Sequence, residues 1–145
     1  LDRAIDTANI ILDVLQVNGI NTVRDKALNE RDYGDLTGLN KDDAREKWGE
    51  EQVHIWRRSY DIPPPSGESL ENTAERVIPY FKEEILPLLV IGNSVLISAH
   101  GNSLRALVMF IEKLSPEEIL KKEISTGQPI TYKYDGNNFK GIWEI

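Results

Sequence analysis

The stretch Ser94-Val95-Leu96-Ile97-Ser98-Ala99-His100-Gly101-Asn102-Ser103-Leu104-Arg105 most restricts how this chain can fold. Val95 to Ala99 is a short apolar run without alternation, bounded upstream by Gly92 and Asn93, which predicts a buried parallel strand. From Asn102 the pattern changes. Leu104, Leu107, Val108, Ile111 and Leu114 follow helical spacing. His100 therefore falls on the turn between a strand and a helix, and in open α/β sheets ligands bind at that carboxyl edge. Asn102 and Ser103 are good capping types, and the N–H groups at the start of a helix favour an anion. A lone histidine on a loop is more often ordinary than functional, so its surroundings have to decide.

Earlier in the chain, Ala4, Ala8, Ile11, Leu12 and Leu15 share one helical face, and the helix is expected to close near Asn18-Gly19. Ile20 to Leu28 reads as extended chain running into a loop. Asn29 to Asn40, NERDYGDLTGLN, has loop chemistry but is rich in reactive types: Glu30, Arg31, Asp32 and Tyr33. Lys41 to Trp48 is a short charged helix ended by Gly49. A second runs from Glu50 to Ser59, with Arg57 and Arg58 in its last turn. Those arginines either offset the helix dipole or clamp an anion.

After Pro63-Pro64-Pro65-Ser66-Gly67, a long helix opens at Ser66 or Ser69, with Leu70, Ala74, Val77, Phe81, Ile85 and Leu88 on one face. Pro79 and Pro87 should kink or divide it. Ser115-Pro116 starts another helix. Two runs, Pro129 to Tyr134 and Phe139 to Ile145, flank Asp135-Gly136-Asn137-Asn138 as a hairpin. Helices and strands in this order give an α/β layered domain.

Composition narrows the partners. The 145 residues carry a net charge of −7, which argues against a nucleic-acid surface, and no apolar run reaches membrane-spanning length. There is no cysteine, and the acidic residues do not cluster with histidine at metal-ligand spacing, so no metal is expected.

Taken together, LNERDYG, WRRSYDIPPP and SAHGNSLR resemble the 2,3-bisphosphoglycerate-dependent phosphoglycerate mutases of the histidine phosphatase superfamily. The resemblance covers nearly the whole chain. It implies an α/β three-layer sandwich with a central, mostly parallel sheet flanked by helices, and one domain over residues 1–145. It also implies a cytoplasmic enzyme of glycolysis and gluconeogenesis that interconverts 3-phosphoglycerate and 2-phosphoglycerate through a phosphohistidine. The implied cofactor is 2,3-bisphosphoglycerate with no metal, the partners are small phosphoglycerates with neither nucleic acid nor membrane, and the assembly is a homodimer or homotetramer.

Carried over by position, the resemblance makes His100 the second active-site histidine, stabilising the oxygens of the transferring phosphoryl group. Gly101 and Asn102 would offer backbone N–H groups to a phosphate oxygen. Glu30 would be the general acid/base at the substrate hydroxyl. Arg3 would bind the transferred phosphate, while Tyr33, Lys41, Arg57 and Arg58 would hold the substrate's carboxylate and other phosphate. Arg31 and Asp32 lie in the same binding loop. The family's phosphorylated histidine sits in an Arg-His-Gly motif at the end of a first strand, and the histidines here are His54 and His100. The expectation is an N-terminally truncated chain, without that strand or nucleophile and inactive by itself, with His54 at the surface or packed between helices. The alternatives are a phosphatase of the same superfamily and a non-catalytic anion-binding remnant. Lys41 and WRRSYDIPPP favour the mutase, because they supply cations for a carboxylated second half of the substrate.

Overall fold

The computed structural model describes residues 1–142, and most helices begin where local capping signals place them. α1 spans Asp2–Val14. It stops before Gly19: Gln16 takes the left-handed conformation (φ 53°), and the Val17 N–H reaches the Leu12 carbonyl at 3.0 Å. The closing residue is thus glutamine and not the glycine that the sequence suggests, despite the steric cost of a side chain there. Residues 20–25 then run exposed into a single helical turn at Lys26–Leu28, started by Asp25 Oδ1 accepting from the Ala27 N–H.

α2 (Lys41–Trp48) is capped by Asn40, whose Oδ1 accepts from the N–H groups of Asp42 and Asp43. α3 (Glu50–Arg58) follows directly after Gly49, at φ +84°. Leu36, Ala44 and Val53 make a small core under this pair, sealed by Trp48 edge-on to Trp56 at 5.8 Å. α4 (Leu70–Tyr80) opens on a Ser69–Asn72 capping box. Pro79 does not end it, since it lies on the exposed face. Division comes later. A wider π-type turn over Phe81–Ile85 precedes the short α5 (Leu86–Val90), which has Pro87 in its first turn, where a missing N–H costs least. α6 (Gly101–Glu112) packs against α4, and their shared core holds Ala74, Val77, Phe81, Ile85, Ala106 and Leu107. α7 (Pro116–Lys121) is capped by Ser115 and buries Ile119 beside Leu70 and Val108.

β1 (Thr131–Tyr134) and β2 (Phe139–Ile142) form an antiparallel hairpin pairing Thr131 with Ile142 and Tyr134 with Phe139. Asp135 Oδ1 accepts from the Asn137 and Asn138 N–H groups and makes the turn. The part of the expected run beyond Ile142 lies outside the described residues. This hairpin is the one sheet among the described residues. Val95 to Ala99, expected as a buried parallel strand, has no regular structure and no strand partner there, with Val95 36% and Leu96 57% exposed. An apolar run reports a preference for burial, whereas a strand also needs neighbours to bond both its edges. Its tail is anchored instead, by the Ser98 hydroxyl donating to the Ala4 carbonyl of α1 at 2.7 Å.

The loop over residues 29–36 lies backbone to backbone on the proline loop over residues 63–68. The Asp35 N–H reaches the Pro65 carbonyl at 3.0 Å, and the Glu68 N–H reaches the Asp32 carbonyl at 2.8 Å. Gly34 (φ +51°) permits this approach: a Cβ there would overlap the Pro65 carbonyl oxygen. Gly38 (φ +79°) has nothing within 4 Å of such a carbon. Gly34→Ala should therefore cost about 2–5 kcal/mol, backbone strain plus overpacking. Gly38→Ala should cost only the strain, about 1–2 kcal/mol. Thermal melts of the two variants give the comparison, and equal losses would mean that the loops do not meet at Gly34.

Candidate active site

His100 occupies the cap position of α6 in an extended conformation (φ −127°), so that helix begins one residue before the expected cap at Asn102. Ser103, fully buried, turns back to accept the His100 N–H at 3.1 Å and donates to the His100 carbonyl. His100 as a whole is 6% exposed. Its Nδ1 accepts from Arg3 Nε at 3.1 Å, so the ring proton of the neutral form sits on Nε2. Burial pushes the His100 pKa below its usual value and the Arg3 charge adds to that, with Glu30 opposing.

Glu30 comes from the other side. Its Oε1 accepts from the Asn102 N–H at 3.0 Å and from the Arg31 N–H at 2.8 Å. The carboxylate thus takes up one of the free amides of α6 and sits at the positive end of that helix. The Asn102 N–H expected to face a phosphate oxygen is shared with Glu30. Gly101 is exposed beside it, with Glu30 Oε2 at 3.7 Å from where a Cβ would stand.

Asn102 also reaches Tyr33, through Nδ2 donating to the phenol oxygen at 3.2 Å. The Arg31 guanidinium lies 4.5 Å and that of Arg57 5.6 Å from the Tyr33 ring centroid. Arg31 is 3% exposed, and its Nη2 makes one long bond to the Trp56 carbonyl at 3.4 Å. Nε of Arg31 and Nε of Arg57 are shielded from solvent and have no hydrogen-bond acceptor. Two buried guanidinium donors without acceptors are costly unless an anion completes them. Arg58 is exposed and lies close enough to Arg105 to push its pKa down, after burial as the larger cause.

The structure therefore joins Arg3, Glu30, Arg31, Tyr33, Arg57, His100 and Asn102 in one continuous set of contacts. Lys41 stands exposed at the first turn of α2. The Asp32 carboxylate is used in its own turn, where Oδ1 accepts the Gly34 N–H at 2.8 Å. His54 is exposed on α3. Among the described residues no group of three or more His, Cys, Asp or Glu side chains could hold a metal ion, and no helix is long and apolar enough to cross a membrane.

Arg76 has no signal in the sequence and Glu68 reads there as an acid suited to the positive end of α4, yet together they brace the Glu30 loop. Their ion pair is 2.8 Å long, with each side chain 26% exposed. Hydrogen bonding from Arg76 holds the Glu68 carboxyl below its usual range, against the opposing effect of burial.

The model of the histidine phosphatase superfamily (branch 1) matches residues 1–142. The chain belongs to the histidine phosphatase superfamily. Among curated relatives, it is 65% identical over 135 residues to a 2,3-bisphosphoglycerate-dependent phosphoglycerate mutase of Parvibaculum lavamentivorans, covering 93% of this chain and 64% of that one. A protein of the same name from Rhizobium meliloti is 59% identical over 145 residues, covering 100% and 69%. The chain thus spans about two thirds of the length of these relatives. Its fold also matches solved structures. Bacillus stearothermophilus YhfR superposes with a TM-score of 0.80 at 23% identity, over 96% of this chain and 67% of that one. A mycobacterial glucosyl-3-phosphoglycerate phosphatase in complex with inorganic phosphate gives 0.73 at 22% identity, over 99% and 71%.

The lowered His100 pKa fixes a pH dependence for this superfamily member. Between the folded value and the unfolded value near 6.5, the unfolded chain binds more protons. Stability should then fall as pH drops from about 6.5 and level off below the folded value. His100→Asn should flatten that part of the profile in chemical denaturation at stepped pH, and an unchanged slope would show that His100 does not titrate there.

Proposed function

We propose that the protein is a 2,3-bisphosphoglycerate-dependent phosphoglycerate mutase, interconverting 3-phosphoglycerate and 2-phosphoglycerate. The observation that carries this reading is the pair of buried, acceptor-free Nε–H groups on Arg31 and Arg57, next to a carboxylate and a neutral imidazole. A substrate with two anionic ends would give those arginines an acceptor while its other end meets the α6 N-terminus.

In this reading Glu30 moves the proton at the substrate hydroxyl, because it is the carboxylate that faces the α6 amides where a phosphate would bind. His100 donates through Nε2–H to the transferring phosphoryl group, held in that tautomer by Arg3, whose remaining guanidinium N–H groups face the same phosphate. Tyr33 spaces the two arginines and, through Asn102, ties their position to the helix terminus. Lys41 and Arg58 complete the positive rim, with the Gly101 N–H available at the open end of α6. Asp32 shapes the loop that carries them. Neither His54 nor His100 is the phosphorylated histidine here. 2,3-Bisphosphoglycerate fits the same arginine donors, and when bound it supplies the phosphoryl group that primes the reaction. The reading includes a three-layer sandwich with a central, mostly parallel sheet flanked by helices. It also includes a cytoplasmic homo-oligomer, dimer or tetramer, which sedimentation would measure.

Glu30→Gln in the full-length protein should leave 3-phosphoglycerate binding nearly intact while lowering isomerisation by about 10²–10⁴-fold, the range for loss of a general acid/base. Phosphorus NMR of the reaction mixture reads both product and by-product. Release of inorganic phosphate without 2-phosphoglycerate would replace the mutase reading with a phosphatase, and an unchanged rate would remove Glu30 from the mechanism.

A further inference from the structure

The loop that presents Glu30 has no regular structure between Asn29 and Tyr33, so its carbonyls have no ladder to join. They are met from α4. Arg76 Nη1 donates to the Ala27 carbonyl at 2.7 Å and to the Asn29 carbonyl at 3.0 Å, and Nη2 donates to the Glu30 carbonyl at 3.1 Å. Nε and the second Nη2 hydrogen go to Glu68, on Oε1 and Oε2, each at 2.8 Å. A guanidinium has five N–H donors, and these contacts engage all five. Glu68 closes the other side of the loop: Oε2 accepts from the Asp32 N–H at 3.1 Å, and its own N–H reaches the Asp32 carbonyl at 2.8 Å.

We propose that Arg76, oriented by Glu68, is a positioning residue that sets where the Glu30 carboxylate stands relative to His100. The inference rests on the mutase reading of Glu30. The same helix registers both partners. Arg76 fixes the backbone from which Glu30 projects, and one residue on, Val77 packs with Ala106 and Leu107 of α6, the helix that begins at His100. The distance between acid/base and imidazole is then set across α4. Among the described residues the Arg76 guanidinium bonds to backbone carbonyls and Glu68, so it acts through Glu30 and not on the substrate. A lysine cannot replace it, because a single ammonium cannot hold three carbonyls and both carboxylate oxygens in one plane.

The test uses Arg76→Lys, which keeps the charge beside Glu68, in the full-length protein with and without Glu30→Gln. Arg76→Met and Glu68→Gln are companion variants. Misplacing a reacting group by about 1 Å costs on the order of 10²-fold. Arg76→Lys alone should therefore lower kcat by about 10–100-fold with KM nearly unchanged, and amides of residues 30–32 should exchange faster while those of α6 do not. In the Glu30→Gln background the same substitution should cost almost nothing further in kcat, because the group it positions is already gone. Equal losses in both backgrounds, a loss confined to KM, or a normal kcat would each overturn the positioning role and leave the mutase reading intact. If Glu30→Gln alone costs nothing, the reading of Glu30 fails and the inference fails with it.

Discussion

The hydrogen bond from the Asn102 amide to the Glu30 carboxylate joins segments 72 residues apart, and the rest of the site is arranged around it. On one side lies a helix terminus that needs an anion. On the other is a loop with no secondary structure to hold its one inward carboxylate. Each supplies what the other lacks. From that bond the contacts run outward, to Tyr33 and two arginines through the Asn102 side chain, and to Arg3 through the histidine that caps the same helix.

Charge placement shows how a chain of net charge −7 could carry the phosphoglycerate site proposed above. Four of its cations, Arg3, Arg31, Arg57 and Arg58, lie on the Glu30 loop, the end of α3 and the start of α1. Several of the other arginines are already matched. Arg76 is satisfied by Glu68 and three carbonyls, and Arg105 by the carbonyls of Ile119 and Lys122. The buried Nε–H groups of Arg31 and Arg57 are different, with ring contacts to Tyr33 but no acceptor. That contrast separates arginines satisfied within the fold from arginines that the proposed ligand would satisfy.

Local rules made most helices legible. Asn40, Ser69 and Ser115 cap as their chemistry dictates, and Gly49 separates two helices as expected. The misses have physical causes. Gln16 in a left-handed turn overrides the stronger glycine signal of Gly19. Val95 and Leu96 show that an apolar run does not fix strand pairing. Glu30, His100 and Arg31 were legible as candidates through the family resemblance. Glu68 and Arg76 were not, because a helix arginine bonded to carbonyls 46 to 49 residues away has no signature in its own neighbourhood. The use of Asp32 in its own turn was equally hidden, since a loop aspartate serves a turn or a ligand with the same composition.

In the proposed site, the α6 terminus, Glu30 and the two arginines hold one phosphoglycerate. Titrating 3-phosphoglycerate into the full-length protein while following the backbone amides of Gly101 and Asn102 and the Nε–H signals of Arg31 and Arg57 tests it most directly. All four should shift together and saturate at one affinity. Saturation of the amides with both arginine signals unmoved, or the reverse, would show that these groups do not share a ligand.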